Sequence, residues 1–177
     1  MTEIALADAR VWRLPDDVDT DALAPGRYMS QGIEAIAAHC LSAIRPEFAA
    51  QVRAGDIVVA GERFGIGSSR EQAAEALRHL GVAAVLAPSF AGLFYRNAIN
   101  LGLPVLVCAQ AAGVPDGALV RWHLREARLD LLASGESIHC ETLPAFLLDI
   151  IEQGGLLPTL RARIARGEIP TGHTDAD

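Results

Sequence analysis

Apolar positions along the chain follow two rhythms. Ala9–Leu14 alternates as a short strand and runs into the acidic loop PDDVDTDALAP. Ile33, Ile36, Ala37, Cys40, Leu41 and Ile44 recur at helical spacing, which predicts one amphipathic helix over 31–44. Pro46 is placed to open a second short helix through Val52. DIVVA at 56–60, VAAVLA at 82–87 and PVLV at 104–107 are apolar runs of strand length. Between them the pattern predicts a helix that stops at Gly81, and a second, capped by Ser89, from about 90 to 101 with Gly102 at its end. Strand–helix–strand–helix–strand implies a parallel sheet with right-handed crossovers.

The rhythm changes after Gly117. ALVRWHL and ARLDLLA alternate like paired strands, SGES is a turn, and 137–140 is a short strand. Pro144–Gln153 reads as a helix with Gly154 and Gly155 as its stop. The expected architecture is one α/β domain over 1–160, a mixed sheet with a parallel core and flanking helices. The polar tail 161–177, ending GHTDAD, is expected to be frayed.

Composition narrows the chemistry. At 177 residues and 51% hydrophobic content the chain suits one soluble globular core. No apolar run approaches the roughly 20 residues of a membrane span, and MTEIALADAR does not read as a signal peptide, so a cytoplasmic location and no membrane partner are expected. A net charge of −7 with scattered basic residues argues against nucleic acid. All 15 basic residues are Arg, which removes the Walker-A loop and any lysine Schiff base, and favours two-point grip on carboxylates. Cys40, Cys108 and Cys140 lack CxxC spacing and read as small core hydrophobes. No metal ligand set is expected, so a metal would need donors from elsewhere.

Three segments carry candidate chemistry. In FGIGSSREQA, residues 64–73, Ser68 and Glu71 stand in capping-box spacing, which predicts a helix start just after Ser68. Gly65 and Gly67 allow a sharp turn and close backbone approach to a ligand. With Arg70 and the unpaired N–H groups of a helix start, they form a small anion receptor. An ordinary tight strand-to-helix turn explains the same residues, whereas a nucleotide site lacks its lysine and its glycine spacing. Asp17, Asp19 and Asp21 open like an EF-hand, but Ala22 and Tyr28 occupy the positions of its Gly and Glu. A turn in which Asp and Thr bond their own backbone is the alternative. In the third segment, SFAGLFYRNAINLGLP, Phe90, Leu93, Phe94 and Ala98 read as core, while Arg96, Asn97 and Asn100 need partners if buried.

In this order, DTDALAPGRY (19–28), GDIVVAGERFGIGSSREQA (55–73) and PSFAGLFYRNAINLGLPVL (88–106) resemble the small subunit of 3-isopropylmalate dehydratase, the detached swivel domain of the aconitase superfamily. The resemblance spans roughly residues 9 to 156. It implies a swivelling β/β/α fold and a hydro-lyase that isomerises 2-isopropylmalate to 3-isopropylmalate through an enoate in leucine synthesis. It also implies a partner, the large subunit, which carries a [4Fe-4S] cluster as Lewis acid. Carried over by position, Ser68 is the base that takes the carbon-bound proton. Ser69 and Arg70, with Gly67, hold a substrate carboxylate, and Thr20 and Asp21 are polar substrate-binding residues on this side of the cleft. Arg27, Tyr28, Met29 and Ser30 fall in the specificity loop, whose pose over 27–32 is expected to settle only in the complex. Ser30 replaces an arginine that accompanies an extra substrate carboxylate, so a dicarboxylate with a small or apolar substituent is expected. Ile66 and Gln72 depart from the cysteine and histidine common in the family. A paralogous dehydratase acting on dimethylmalate, a citramalate-like acid or homoaconitate shares these motifs, and a non-catalytic anion-binding domain is the alternative of another class.

Overall fold

The computed structural model describes residues 8–169. Its centre is a seven-stranded sheet in the order β4-β3-β2-β1-β5-β6-β7. Strands β1 (Ala9–Arg13), β2 (Ile57–Val59), β3 (Ala84–Ala87) and β4 (Val105–Val107) pair in parallel. Strands β5 (Leu119–His123), β6 (Arg128–Leu131) and β7 (Ser137–His139) continue the sheet antiparallel from β1. The change of rhythm after Gly117 is therefore the change from parallel to antiparallel pairing.

Both faces of the parallel half are buried, which is why these strands are apolar at nearly every position. Trp12, Val58, Val85 and Val105 face the helices, packing with Ile36, Leu77, Phe94 and Ala98. Val11, Ile57, Val59, Leu86 and Leu106 face the other way, onto Val120, Leu129 and Ile138 of the antiparallel half. The sheet thus curls back over its own second face. Its ends meet where the Glu141 N–H bonds the Val107 carbonyl at 2.7 Å. Cys108 and Cys140 come together at this seam; a hydrogen bond from Cys140 lowers the Cys108 thiol to about 7. Burial pushes the Cys40 thiol up instead.

The helices are α1 (Thr20–Leu23), α2 (Ile33–Ala38), α3 (Phe48–Gln51), α4 (Glu71–His79), α5 (Gly92–Asn100), α6 (Ala145–Glu152) and α7 (Leu156–Ala165). No helix among the described residues is long and apolar enough to cross a membrane. Three expectations about these elements need correction. The single helix over 31–44 stops after Ala38, because the Leu41 N–H turns to the Ala22 carbonyl at 2.7 Å and Leu41 takes a φ of 61°. Its apolar spacing persists because the irregular stretch buries Cys40 and Leu41 in the same core. Ser89 does not cap α5; its hydroxyl bonds the Glu62 carboxylate and accepts from the Arg63 N–H at 2.9 Å. Residues 161–165 are helical as the last part of α7. Residues Gly26–Gln31 form a 3₁₀ turn. The GHTDAD end of the tail lies outside the described residues.

One buried carboxylate ties the parallel half to its edge. Asp56 accepts from Trp12 Nε1 at 2.9 Å, Arg53 N at 2.9 Å and Arg10 N at 3.1 Å. Removing an acceptor that serves several donors costs more than the net worth of the bonds, since each buried donor is left unpaired. Asp56→Ala is expected to lower unfolding stability by about 3 kcal/mol. A urea titration followed by Trp fluorescence checks it through a fall in the midpoint without a change in slope.

Candidate functional site

Beyond their strands, the chains leaving β1 and β2 continue side by side. Gly65 N–H bonds the Val18 carbonyl at 2.7 Å and Thr20 N–H bonds the Ile66 carbonyl at 2.8 Å. Asp19 and Ile66 form an isolated parallel bridge. This pairing requires unusual backbone in the glycine-rich loop. Gly65 has a φ of 80°, and a Cβ there would lie 2.3 Å from Phe94 Cγ. Gly67 has a φ of 111°, and a Cβ there would lie 2.9 Å from Thr20 Oγ1. Only glycine meets both demands.

The result sets two hydroxyls against each other. Ser68 N–H donates to Thr20 Oγ1 at 3.0 Å, and the two hydroxyl oxygens are 3.3 Å apart. Ser68 and Ser69 are exposed, while Thr20 is buried at 3% exposure. Thr20 therefore faces Ser68 rather than solvent. Asp19 caps α1 by accepting from Ala22 N at 2.7 Å.

Ser68 is not the helix cap that its spacing with Glu71 predicts. Helix α4 starts at Glu71 after Arg70, without a side-chain cap. The Thr20 contact and the positive φ at Gly67 hold Ser68 outside the helix, two residues before that boundary. The N-terminal end of α4 still presents unpaired N–H groups toward the loop.

Arg70 is braced across the loop. Its Nη1 donates to Asp21 Oδ1 at 2.6 Å and to the Ala24 carbonyl at 3.0 Å. Asp21 also accepts from Gly26 N at 3.2 Å. The Arg70 hydrogen bond, helped by that amide, holds the Asp21 carboxyl below the usual carboxylate range. Among the described residues the remaining guanidinium nitrogens, Nε and Nη2, have no hydrogen-bond partner, which leaves an open edge for an outside anion. The adjoining cleft of about 580 Å³ is lined by Asp17, Asp19, Asp21 and Arg27. Its acidic wall disfavours an anion, which leaves the Arg70 guanidinium as the positive group beside it.

The other expected residues gather at the same end. Arg27 lies over the Tyr28 ring at 4.9 Å, and Tyr28 stacks on His39 with centroids 3.8 Å apart. Met29 packs against the core and Ser30 is exposed. Asn97, flagged by its polarity on an apolar helix, donates to the Ser69 carbonyl at 3.2 Å and braces the loop from α5. Arg96 and Asn100 are exposed. Sequence reasoning missed the Thr20–Ser68 contact, which joins residues 48 apart and has no local signature. Among the described residues no three His, Cys, Asp or Glu side chains converge as a metal site.

Comparison with known proteins agrees with this architecture. Residues 29–111 match the aconitase C-terminal domain family. The methanogen homoaconitase small subunit of Methanothermobacter thermautotrophicus is 49% identical over 149 residues, covering 84% of this chain and 86% of the relative. The 3-isopropylmalate dehydratase small subunit of Heliobacterium modesticaldum is 41% identical over 161 residues, covering 90% and 97%. A crystal structure of 3-isopropylmalate dehydratase from Methanocaldococcus jannaschii matches with a TM-score of 0.85 at 39% identity, covering 91% of this chain and 96% of that one.

Two outcomes test this geometry. Arg70→Met is expected to return the Asp21 carboxyl toward its ordinary titration range. The Asp21–Arg70 pair in the native protein, whose acid is depressed, is present above that range and is lost as pH falls through the lowered value. A carbon-detected NMR titration of Asp21 reads the shift directly. Gly67→Ala is expected to cost about 1–2 kcal/mol from its positive φ alone, with further loss from the Thr20 contact, read by thermal unfolding.

Proposed function

Because the chain belongs to the 3-isopropylmalate dehydratase small-subunit family of the aconitase superfamily, we propose that it supplies the proton-handling, carboxylate-gripping half of a two-subunit hydro-lyase. The substrate we assign is 2-isopropylmalate, converted to 3-isopropylmalate by dehydration and rehydration in leucine synthesis in the cytoplasm. The observation that carries this reading is the exposed Ser68, fixed from below by Thr20 and flanked by Arg70 at the entrance of α4.

Ser68 Oγ takes the proton from the carbon that bears no hydroxyl, beside a substrate carboxylate. Loss of that proton and of the neighbouring hydroxyl gives the enoate. Water then adds with the opposite regiochemistry, and Ser68 returns the proton. An isolated serine is a very weak base, so its alkoxide depends on the positive field of Arg70 and the α4 N-terminus. Ser69 and the free edge of Arg70 hold the carboxylate in place, while Asp21 keeps the guanidinium oriented. Hydroxyl activation we assign to a [4Fe-4S] cluster on the large subunit. Among the described residues of this chain no donor set fits such a group, and the part that falls to this subunit is binding, orientation and proton transfer.

The specificity loop favours a substrate with a small apolar substituent, since Ser30 brings no charge. The 49% identity to a homoaconitase small subunit favours a second reading, a larger tricarboxylate, for which Arg27 is the cation at hand in that loop. Steady-state kinetics on a panel of di- and tricarboxylates decides between them; higher kcat/KM for homoaconitate-type acids refutes the isopropylmalate assignment.

Co-expression with a cluster-bearing large subunit tests the whole reading. Ser68→Ala is expected to lower kcat by about 10³-fold while the two subunits still co-purify. Arg70→Ala is expected chiefly to raise KM. Absence of a complex with any large subunit of this family, or wild-type turnover by Ser68→Ala, defeats it.

A further inference from the structure

The geometry points to Thr20 as a positioning residue that sets the ionisation of Ser68 and does not touch substrate; this rests on the reading of Ser68 as the base. A hydroxyl carries one proton and two lone pairs. One lone pair of Thr20 Oγ1 already accepts the Ser68 N–H at 3.0 Å, and Thr20's own N–H is spent on the Ile66 carbonyl. Among the described residues its other hydrogen-bond partner is Ser68 Oγ, 3.3 Å away.

While Ser68 is protonated, either oxygen can donate to the other. Once Ser68 has lost its proton, only one direction survives, with Thr20 giving its hydrogen to the alkoxide. Hydrogen bonds to a charged oxygen are shorter and about twice as strong as neutral ones. The contact therefore strengthens as the base forms, which is the differential stabilisation that raises kcat rather than binding. At 3% exposure Thr20 delivers this from beneath, leaving the outer side of Ser68 for the substrate.

The charged groups around the pair are otherwise occupied or face outward. Asp19 caps α1, Asp21 holds Arg70, and Glu71 is exposed at the head of α4. The α5 side contributes the neutral Asn97. Thr20 thus joins Arg70 and the α4 N-terminus in supporting the alkoxide, and does so through a direct hydrogen bond.

The test compares Thr20→Val, which keeps the shape and removes the hydroxyl, with Thr20→Ser, which keeps the hydroxyl, each assembled with the large subunit. Thr20→Val is expected to lose about 10²-fold in kcat with KM unchanged. The ascending limb of its kcat–pH profile is expected to move to higher pH, because the alkoxide has lost its donor. Thr20→Ser is expected to restore both. Thr20→Ala gives the same readout if valine fails to pack, and co-purification with the large subunit verifies folding in each case. A raised KM with normal kcat in Thr20→Val, or a Thr20→Ser variant as impaired as Thr20→Val, overturns the proposal. Inactive Ser68→Ala beside fully active Thr20→Val removes this inference alone, whereas active Ser68→Ala removes the base reading and the inference with it.

Discussion

The parallel run of two loops is the constraint on which the rest depends. Strands β1 and β2 end at Arg13 and Val59, but their chains stay paired through Leu14 N–H to Val59 O, Asp17 N–H to Glu62 O, Gly65 N–H to Val18 O and Thr20 N–H to Ile66 O. Side chains lock the register. Asp16 accepts the Glu62 N–H at 2.8 Å, and Arg63 grips Asp17 with two bonds of 2.6 Å. Without that register, Thr20 and Ser68 do not meet. The aromatic cluster of Phe64, Phe90 and Phe94 forms the apolar floor under the loop, with Phe64 and Phe94 edge to face at 5.1 Å. Packing of this kind is rigid, so the Ser68 hydroxyl stands on a fixed base.

The electrostatics of the site come from balance rather than accumulation of charge. The whole chain carries −7, and the cleft beside the loop is acidic. Against that background the Arg70 guanidinium and the α4 N-terminus are the positive features of the glycine-rich loop. Asp21 orients Arg70 through one nitrogen and partly neutralises it, which confines its pull to short range. The same carboxylate bonds Gly26 N and so couples the braced arginine to the start of the 3₁₀ turn that carries Arg27 to Ser30.

Much of the fold is legible in the sequence because its strands obey burial on both faces and its antiparallel half obeys alternation. DIVVA and ALVRWHL name their own environments. What fails is local capping logic. Ser68 has the right spacing for a cap, and Ser89 the right position, yet each is drawn to a partner far along the chain: Thr20 in one case, Glu62 and Arg63 in the other. A tertiary hydrogen bond of fixed geometry overrides a weak local preference. The helix expected over 31–44 fails for the same reason, since the Leu41 amide reaches the Ala22 carbonyl instead of its own helix. Of the site, the residue types and their order were readable from the motifs. The burial of Thr20 and the bracing of Arg70 by Asp21 were not, because both arise only when segments almost 50 residues apart are brought into register.

The seam between the two ends of the sheet has a consequence for how this subunit meets other molecules. With Glu141 bonded to Val107, and Cys140 N–H bonded to the Ala127 carbonyl, the backbone where β4 and the segment after β7 converge is occupied from within. Those paired groups are not available to an incoming chain as a template for an extra strand.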